Sequence, residues 1–119
     1  MKNMSESVSV SRHFANKDEL VRSIYDQLVK TARRFGPVVE DPKKTSIHLV
    51  NSTAFAGVAT RKTSLTLTLK ADHKLSSERI HKCQQVSRQR FYHEVKLTSP
   101  AEVDAELTQW LQDSYALSS

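Results

Sequence analysis

The sequence predicts an α+β domain: an N-terminal helix, a four-stranded antiparallel sheet and a C-terminal helix, with both helices on one face of the sheet. Apolar residues recur at helical spacing near both ends of the chain, and apolar and polar residues alternate through its middle. A length of 119 residues allows one hydrophobic core without disulfides or metal. We expect a flexible N-terminal segment over residues 1–12 and one α+β domain over residues 13–117.

The first helix is predicted to begin near Asn16, where a polar, aperiodic stretch ends. Asn16 is a good N-cap residue, and Glu19 three positions later suits a capping box. Gly36 and Pro37 are expected to end the helix, because glycine adopts a positive φ and proline cannot continue a helix. The apolar stripe of this helix consists of Leu20, Val21, Ile24, Tyr25, Leu28, Ala32 and Phe35.

Four segments of the middle are predicted strands because their residues alternate between apolar and polar. They are Ser46–Val50, Ala54–Thr60, Ser64–Ala71 and Phe91–Thr98. Short connections between the first three favour an antiparallel meander. Gly57 is expected to mark a bulge or a close approach. Ser77–Val86 is ambiguous, since the spacing of Ile80, Cys83 and Val86 fits a short amphipathic helix and an ordered loop is the alternative.

The second helix is predicted to start after Ser99, because Pro100 at the first helical position and Glu102 two residues later complete a strong start signal. Its apolar face consists of Val103, Leu107, Trp110, Leu111 and Ser114, with Tyr115 nearby. Both helices must bury their stripes, so we expect them to cover the same face of the sheet. The other face is expected to be exposed, with Thr66, Thr68, Lys70 and His48 on it.

Composition excludes several classes of function. Two glycines cannot build a phosphate-binding glycine loop or a dinucleotide fingerprint. Cys83 is the only cysteine, and no histidine pair has metal-ligand spacing, so we predict no disulfide, no metal and no cofactor. No apolar run approaches the roughly 18 residues of a membrane helix, and the first residues lack a signal-peptide pattern. We therefore expect a cytoplasmic protein with no membrane association.

Charge is distributed unevenly along the chain, whose formal net charge is +5. Residues 1–40 carry a net charge of +2, residues 41–96 carry +7 and residues 97–119 carry −4. A basic middle joined to an acidic end predicts a polarised, basic surface that attracts an anionic partner. The alternative is an ordinary basic excess without a specific purpose.

Paired cations beside the predicted strands form the candidate anion-binding set. Each pair lies near a hydroxyl or an amide, which is the mixture that binds phosphate oxygens. Alternate loops of a meander lie at the same end of a sheet, so the first two pairs are predicted to converge. The alternative is that solvated loop charges protect the sheet from aggregation. The set consists of Lys43, Lys44, Thr45, His48, Arg61, Lys62, Arg88 and Arg90.

Histidines and one tyrosine supply the secondary candidates. His48 and His93 lie in strand-like segments and are predicted to face each other on neighbouring strands, as an acid–base pair or as anion ligands. Half-buried sheet histidines that bond to the backbone are the alternative. Cys83 with His81 or His93 would form a nucleophile–base pair, although a lone cysteine on an apolar stripe is usually inert. Tyr92 is the natural candidate for stacking on a nucleic-acid base.

Several stretches together resemble one known family. They are His13-Phe14, Gly36-Pro37, Glu40 to Leu49, Phe55 to Val58, Arg61-Lys62, Leu65-x-Leu67-x-Leu69, Val86-Ser87, His93 to Leu97 and Trp110 to Tyr115. The set resembles a bacterial domain of unknown function, number 5655 in that naming series, over residues 13–117. More distantly it is similar to the small double-wing domains of the YjbR type, which also close with a helix running into Ser-Tyr. The resemblance implies an accessory binding module and assigns no activity.

Three classes of function follow from these residues. The favoured one is a small binding domain that holds a nucleic acid or a phosphorylated small molecule on its basic loops. The second is a small enzyme that uses His48 or His93 as an acid–base group, and the sequence favours a non-enzyme over it. The third is a protein-interaction or dimerisation module that works through a sheet edge or the outer face. No oligomeric state is predicted.

Overall fold

In the computed structural model, which describes residues 9–118, six strands form one sheet and two helices pack against one of its faces. The helices are α1 (Glu19–Ala32) and α2 (Ala105–Ala116), and short 3-10 helices precede them at Ser11–Phe14 and Pro100–Glu102. The strands are β1 (Val39–Pro42), β2 (Ile47–Val50), β3 (Ala54–Thr60), β4 (Leu65–Ala71), β5 (Ile80–Ser87) and β6 (Arg90–Leu97). They lie in the order β1-β2-β3-β4-β6-β5, and all neighbours are antiparallel.

The predicted α+β class, the two helices and the antiparallel sheet are confirmed, whereas the predicted number of four strands is wrong. The four predicted segments correspond to β2, β3, β4 and β6, and the first three form the predicted meander. The sheet also contains β1 and β5. Most of the N-terminal segment predicted to be flexible, residues 1–12, lies outside the described residues, and Ser11 and Arg12 already belong to the first 3-10 helix.

Strand β1 is short and lies at the edge of the sheet, where it pairs with β2 alone. Pro37 precedes it and Pro42 ends it, and a proline in a run of residues argues against a strand in the centre of a sheet. At an edge the missing N–H of proline costs no ladder hydrogen bond on the solvent side. The prolines that hid this strand in the sequence are therefore compatible with its position.

Strand β5 occupies most of the segment that was ambiguous between a helix and a loop, so both of those interpretations are wrong. Its pairing with β6 shifts register between Ile80 and Lys82, and again between Gln85 and Ser87. A β-bulge adds one residue on one strand, so inward-facing residues on either side of it are three positions apart instead of two. Ile80 and Cys83 therefore share a face at a spacing that resembles a helix.

The start of α1 differs from its prediction. Asp18 is the N-cap and makes no side-chain capping bond, while Asn16 has a φ of 62° in the turn before it. The Asp18 amide instead donates to the carbonyl of Lys62 at 2.9 Å, which ties the helix start to the turn between β3 and β4. Leu20, predicted to be in the apolar stripe, is exposed because α1 buries the adjacent positions. Those buried residues are Val21, Ile24, Tyr25, Leu28, Val29, Thr31 and Ala32.

The predicted capping box at Ser99 and Glu102 is present, but it caps the 3-10 helix and not α2 itself. The chain turns at Val103, and Asp104 then becomes the N-cap of α2 by accepting a hydrogen bond from the Leu107 amide at 3.1 Å. Arg79 donates to Asp104 and Glu106 at 2.9 and 3.2 Å, so the loop before β5 is attached to the start of α2.

The core lies between the helices and the sheet. Leu65, Leu67 and Leu69 of β4 alternate into it, and each is at most 1% exposed. Near the end of α2, the Tyr115 ring packs edge-on against Phe55, with ring centroids 5.0 Å apart. The core residues of the strands face the helices, so their neighbours in sequence face the opposite way. Within residues 9–118 no helix is long and apolar enough to span a membrane.

Candidate anion-binding face

The candidate site lies on the face of the sheet that points away from the helices, which we call the open face. The side chains that alternate with the core residues along each strand lie on this face, as the register of the strands shows. One row across the sheet runs through His48, Gly57, Thr68 and Glu94, which lie side by side on β2, β3, β4 and β6. In the next row Lys70 pairs with Tyr92. The prediction that this face carries Thr66, Thr68, Lys70 and His48 agrees with the register.

A depression of about 230 Å³ lies in the middle of the open face. Small residues form most of its base, and longer polar side chains surround it. Its lining consists of His48, Ala54, Phe55, Ala56, Gly57, Thr68, Lys70 and Tyr92. The depression therefore brings together an imidazole, a hydroxyl, an ammonium group and a phenol from three different strands.

Gly57 accounts for part of the depression, because it leaves no side chain between His48 and Thr68. The sequence predicted a bulge or a close approach at this glycine. The register shift in β2–β3 pairing instead lies between Leu49 and Val50, away from Gly57. A Cβ atom built on Gly57 would lie 3.7 Å from the Cβ of Thr68, which is an ordinary van der Waals contact. Packing within the chain therefore does not require a glycine here.

Lys70 is held in place from both faces of the sheet. The buried Ser114 hydroxyl of α2 accepts a hydrogen bond from the Lys70 amide at 3.1 Å and donates one to the carbonyl of Phe55 at 2.5 Å. On the open face the Lys70 ammonium donates to the Thr53 hydroxyl at 3.2 Å. Burial lowers the pKa of Lys70, and the nearby positive charge of Arg90 lowers it further. Burial and repulsion lower the pKa of a cation in this way when no nearby anion offsets them.

The carboxylates of the open face are already paired. Asp41 accepts an ion pair from Lys43 at 2.9 Å, and Glu94 lies 3.8 Å from Lys82 and 3.5 Å from His81. Other cations of this face form no ion pair in the part of the chain that the structure describes. They are Lys70, Arg90 and Lys96. Of these three, Arg90 lies near the Asp72 carboxylate, whose pKa is lowered by its hydrogen bond with His73 and also by the charge of Arg90.

The predicted anion-binding set divides between the two ends of the sheet. The β1–β2 turn, with Lys43, Lys44 and Thr45, and the β3–β4 turn, with Arg61 and Lys62, lie at the same end, which we call the turn end. The two turns are two strand spacings apart, or about 10 Å. The exposed cations Lys44, Arg61 and Lys62 form no ion pair within residues 9–118.

Arg88 and Arg90 lie at the opposite end of the sheet, in and beside the β5–β6 turn, which we call the hairpin end. They do not join the cations of the turn end, because β4 separates the two ends by its whole length. Arg90 instead lies on the open face two residues before Tyr92 and close to Lys70, as its effect on the pKa of Lys70 shows.

His93 lies on the other face of the sheet and is fully buried. Its Nε2 accepts a hydrogen bond from the Leu75 amide at 3.0 Å, and its Nδ1 has no partner in the part of the chain described. Burial lowers the pKa of His93, with further lowering from His73 and Lys74. The prediction that His48 and His93 face each other is wrong, because β3 and β4 separate their strands and the two side chains point to opposite faces.

Cys83 lies opposite His93 in the β5–β6 pairing, while His81 lies on the open-face side against Glu94. His93 nevertheless makes no hydrogen bond to the thiol, and burial favours its neutral form. In the part of the chain that the structure describes, no group of three His, Cys, Asp or Glu residues could hold a metal ion. The depression thus offers hydrogen-bond donors and positive charge.

Gly57, Thr68 and Lys70 were absent from the predicted site set. Their signals were present: a glycine inside a strand, and the polar half of the cleanest alternation in the sequence. Tyr92, a secondary candidate, lines the depression beside Lys70, and His48 lines it from β2. The remaining cations of the predicted set lie outside its lining.

The family model described as a domain of unknown function (DUF5655) matches residues 10–118, which is nearly the whole chain. This agrees with the family resemblance predicted from the sequence. The bacterial origin and the distant similarity to YjbR-type domains stay predictions. No curated protein and no solved structure matches the chain.

Proposed function

The chain belongs to the DUF5655 family of domains of unknown function, and we propose that its open face binds an anionic ligand with a phosphate group in the central depression. Lys70 would supply the charge, and the Thr68 hydroxyl and the His48 ring would orient hydrogen bonds to phosphate oxygens. Tyr92 would contact the organic part of the ligand. This keeps the predicted binding domain but moves its centre from the loops to the middle of the sheet.

Gly57 is the observation that carries this proposal. A glycine in the middle of a strand destabilises a protein by roughly 0.5–1 kcal/mol relative to alanine, because its backbone loses more freedom on folding. Gly57 has no positive φ, and a Cβ there would make only an ordinary contact with Thr68. Neither the backbone conformation nor this contact calls for a glycine, whereas a ligand that approaches the sheet between His48 and Thr68 would need the space.

The state of Lys70 supports the same ligand class. An ammonium group has three donors, and within residues 9–118 Lys70 uses one of them, to Thr53. A bound phosphate would accept the others and would offset the burial and the repulsion by Arg90 that now lower the pKa of Lys70. Binding should therefore raise this pKa.

An acid–base enzyme is less well supported. The two histidines proposed for that role lie on opposite faces of the sheet. Of the two, only His48 lies in the depression, where it can form a hydrogen bond to a ligand. The other titratable side chains among the lining residues are those of Lys70 and Tyr92. We therefore favour binding over catalysis. The cytoplasmic location stays a prediction.

The proposal is tested by thermal shift and calorimetry with inorganic phosphate, pyrophosphate and nucleoside monophosphates at low and high salt. A ligand that binds the folded state raises Tm by mass action. We expect Lys70→Met and His48→Ala to reduce this rise. Lys30→Met is the control, since it removes the same charge from the exposed side of α1. If no anion changes Tm, or if Lys30→Met acts like Lys70→Met, the proposal is wrong.

A further inference from the structure

We infer that the ligand of the open face is a single strand of nucleic acid that runs along β4 from the turn end to the hairpin end. The inference rests on the proposed function, because one phosphate of the strand occupies the depression. It adds the class of ligand, its direction on the sheet and the part played by the cations of the predicted set that lie outside the depression.

Cations that form no ion pair within residues 9–118 lie at both ends of the path and in its middle. Lys44, Arg61 and Lys62 lie at the turn end, and Lys70 and Arg90 lie in the depression and towards the hairpin end. β4 spans seven residues between the ends, or about 20 Å at 3.3 Å per residue. A small phosphorylated molecule cannot contact both ends, whereas a strand of about four nucleotides can, at the lower limit of known site sizes.

The charge of α2, on the other side of the sheet, also favours the open face. The acidic residues of the C-terminal part belong to α2 and the 3-10 helix before it, and these pack on the helix side of the sheet. Arg79 pairs with Asp104 and Glu106 there, so this cation is not available to a ligand. A polyanion is therefore repelled from α2, whereas α1 on the same side of the sheet carries the exposed cation Lys30 and is followed by the exposed cation Arg34.

Tyr92 indicates a single strand and not a duplex. Its side chain is 40% exposed although it lies in the middle of the sheet beside Lys70, so one part of the ring is open to a partner. An aromatic ring binds a base by stacking, and only an unpaired base offers its face to a protein surface. Lys70 and Tyr92 together can thus hold the phosphate and the base of one nucleotide.

The test measures fluorescence anisotropy with labelled dT and rU oligonucleotides of two, four, eight and twelve residues, and competition by dTMP, inorganic phosphate, duplex DNA and heparin. We expect the affinity to rise with length up to about four nucleotides and then to level off, apart from statistical gains. With Lys70, Arg90, Arg61 and Lys62 each neutralising a phosphate, the slope of log K against log salt should be about −2.8 for a single strand.

Four variants separate the parts of the site. The double variant Arg61→Ala/Lys62→Ala should weaken the eight-residue oligonucleotide and reduce the salt slope by about 1.4, and leave dTMP binding unchanged. Tyr92→Leu should weaken oligonucleotides by about tenfold, within the range for one lost stacking contact, while Tyr92→Phe should retain the affinity. The control Lys30→Met should change neither the affinity for oligonucleotides nor the salt slope.

Each outcome has a distinct meaning. If dTMP binds in the depression but affinity does not increase with length, the strand is wrong and the proposed function stands. If no phosphorylated compound binds, both are wrong. Duplex DNA or heparin that competes as well as the single strand on an equal-charge basis overturns the inference, since a general polyanion surface then explains the binding. A preference for rU over dT, or the reverse, supports it and identifies which nucleic acid is bound.

Discussion

Alanine at position 57 is expected to stabilise the protein and weaken its open face as a binding site. The added methyl group meets only Thr68, at 3.7 Å between Cβ atoms, and the backbone of Gly57 is not in the left-handed region. Alanine reduces the conformational freedom of the unfolded chain, which stabilises by about 0.5–1 kcal/mol where the native geometry suits it. For a domain of this size that raises Tm by roughly 2–4 °C.

The same methyl group enters the depression between His48 and Thr68. A ligand that contacts the backbone there must shift, and overpacking of this kind costs about 1–3 kcal/mol, so we expect affinity to fall by about five- to 150-fold. Urea and thermal unfolding measure the first effect, and calorimetry with the best ligand measures the second. Ala59→Val is the control, because Ala59 lies on the same strand and face but outside the depression.

Two results would refute this reasoning. A lower Tm for Gly57→Ala would mean that the fold itself needs a glycine, and the strongest support for a ligand would disappear. A higher Tm with unchanged affinity would mean that the ligand does not occupy the depression. Only a gain in stability together with a loss of binding, absent from Ala59→Val, agrees with a space kept for a ligand.

Three further predictions concern the groups that hold the site and its support. Ser114→Ala leaves the Phe55 carbonyl and the Lys70 amide without their buried partner, so it should destabilise the protein by about 1–3 kcal/mol in urea unfolding. A urea midpoint equal to that of the wild type would argue against this role of Ser114. Gly36→Ala should lower the Tm, because φ is 150° and a Cβ would lie 2.5 Å from the Tyr115 hydroxyl; a neutral effect would contradict this geometry. The pKa of His93 is lower in the folded protein than in the unfolded chain, so the unfolded chain binds more protons as the pH falls. The contribution of His93 to the free energy of unfolding is therefore fully present above pH about 6.5 and is lost as the pH falls below it. Urea unfolding from pH 8 to 5 should show this loss, and His93→Gln should reduce it; an equal slope in both proteins would rule out His93 as its source.

Elements whose local pattern agrees with their environment were predictable from the sequence. Leu65, Leu67 and Leu69 alternate strictly because β4 is regular and one of its faces is buried. The pattern failed where geometry departs from the ideal. In β5 the bulges change the spacing of inward residues, and in β1 the prolines suppress the strand signal. Neither departure leaves a mark that a period of 2.0 or 3.6 can detect.

The candidate site was less predictable, because it depends on which strands are neighbours. Paired cations were visible in the sequence, but the end of the sheet at which each pair lies depends on the number and direction of all the strands. Missing β5 left Arg88 and Arg90 without a place in the sheet. The environment of Lys70 depends on Ser114, 44 residues away in sequence, and no local pattern connects the two.

The position of β6 determines which side chains of the proposed site lie together. Because β6 lies between β4 and β5, Tyr92 and Arg90 come to lie beside Lys70, while β5 supplies Lys82 and His81 to neutralise Glu94. If β5 instead paired directly with β4, as in a simple meander, Lys70 would have no aromatic neighbour from β6. The placement of β6 thus brings Arg90 and Tyr92 to Lys70, and this grouping is the basis of the proposed path for a single strand of nucleic acid.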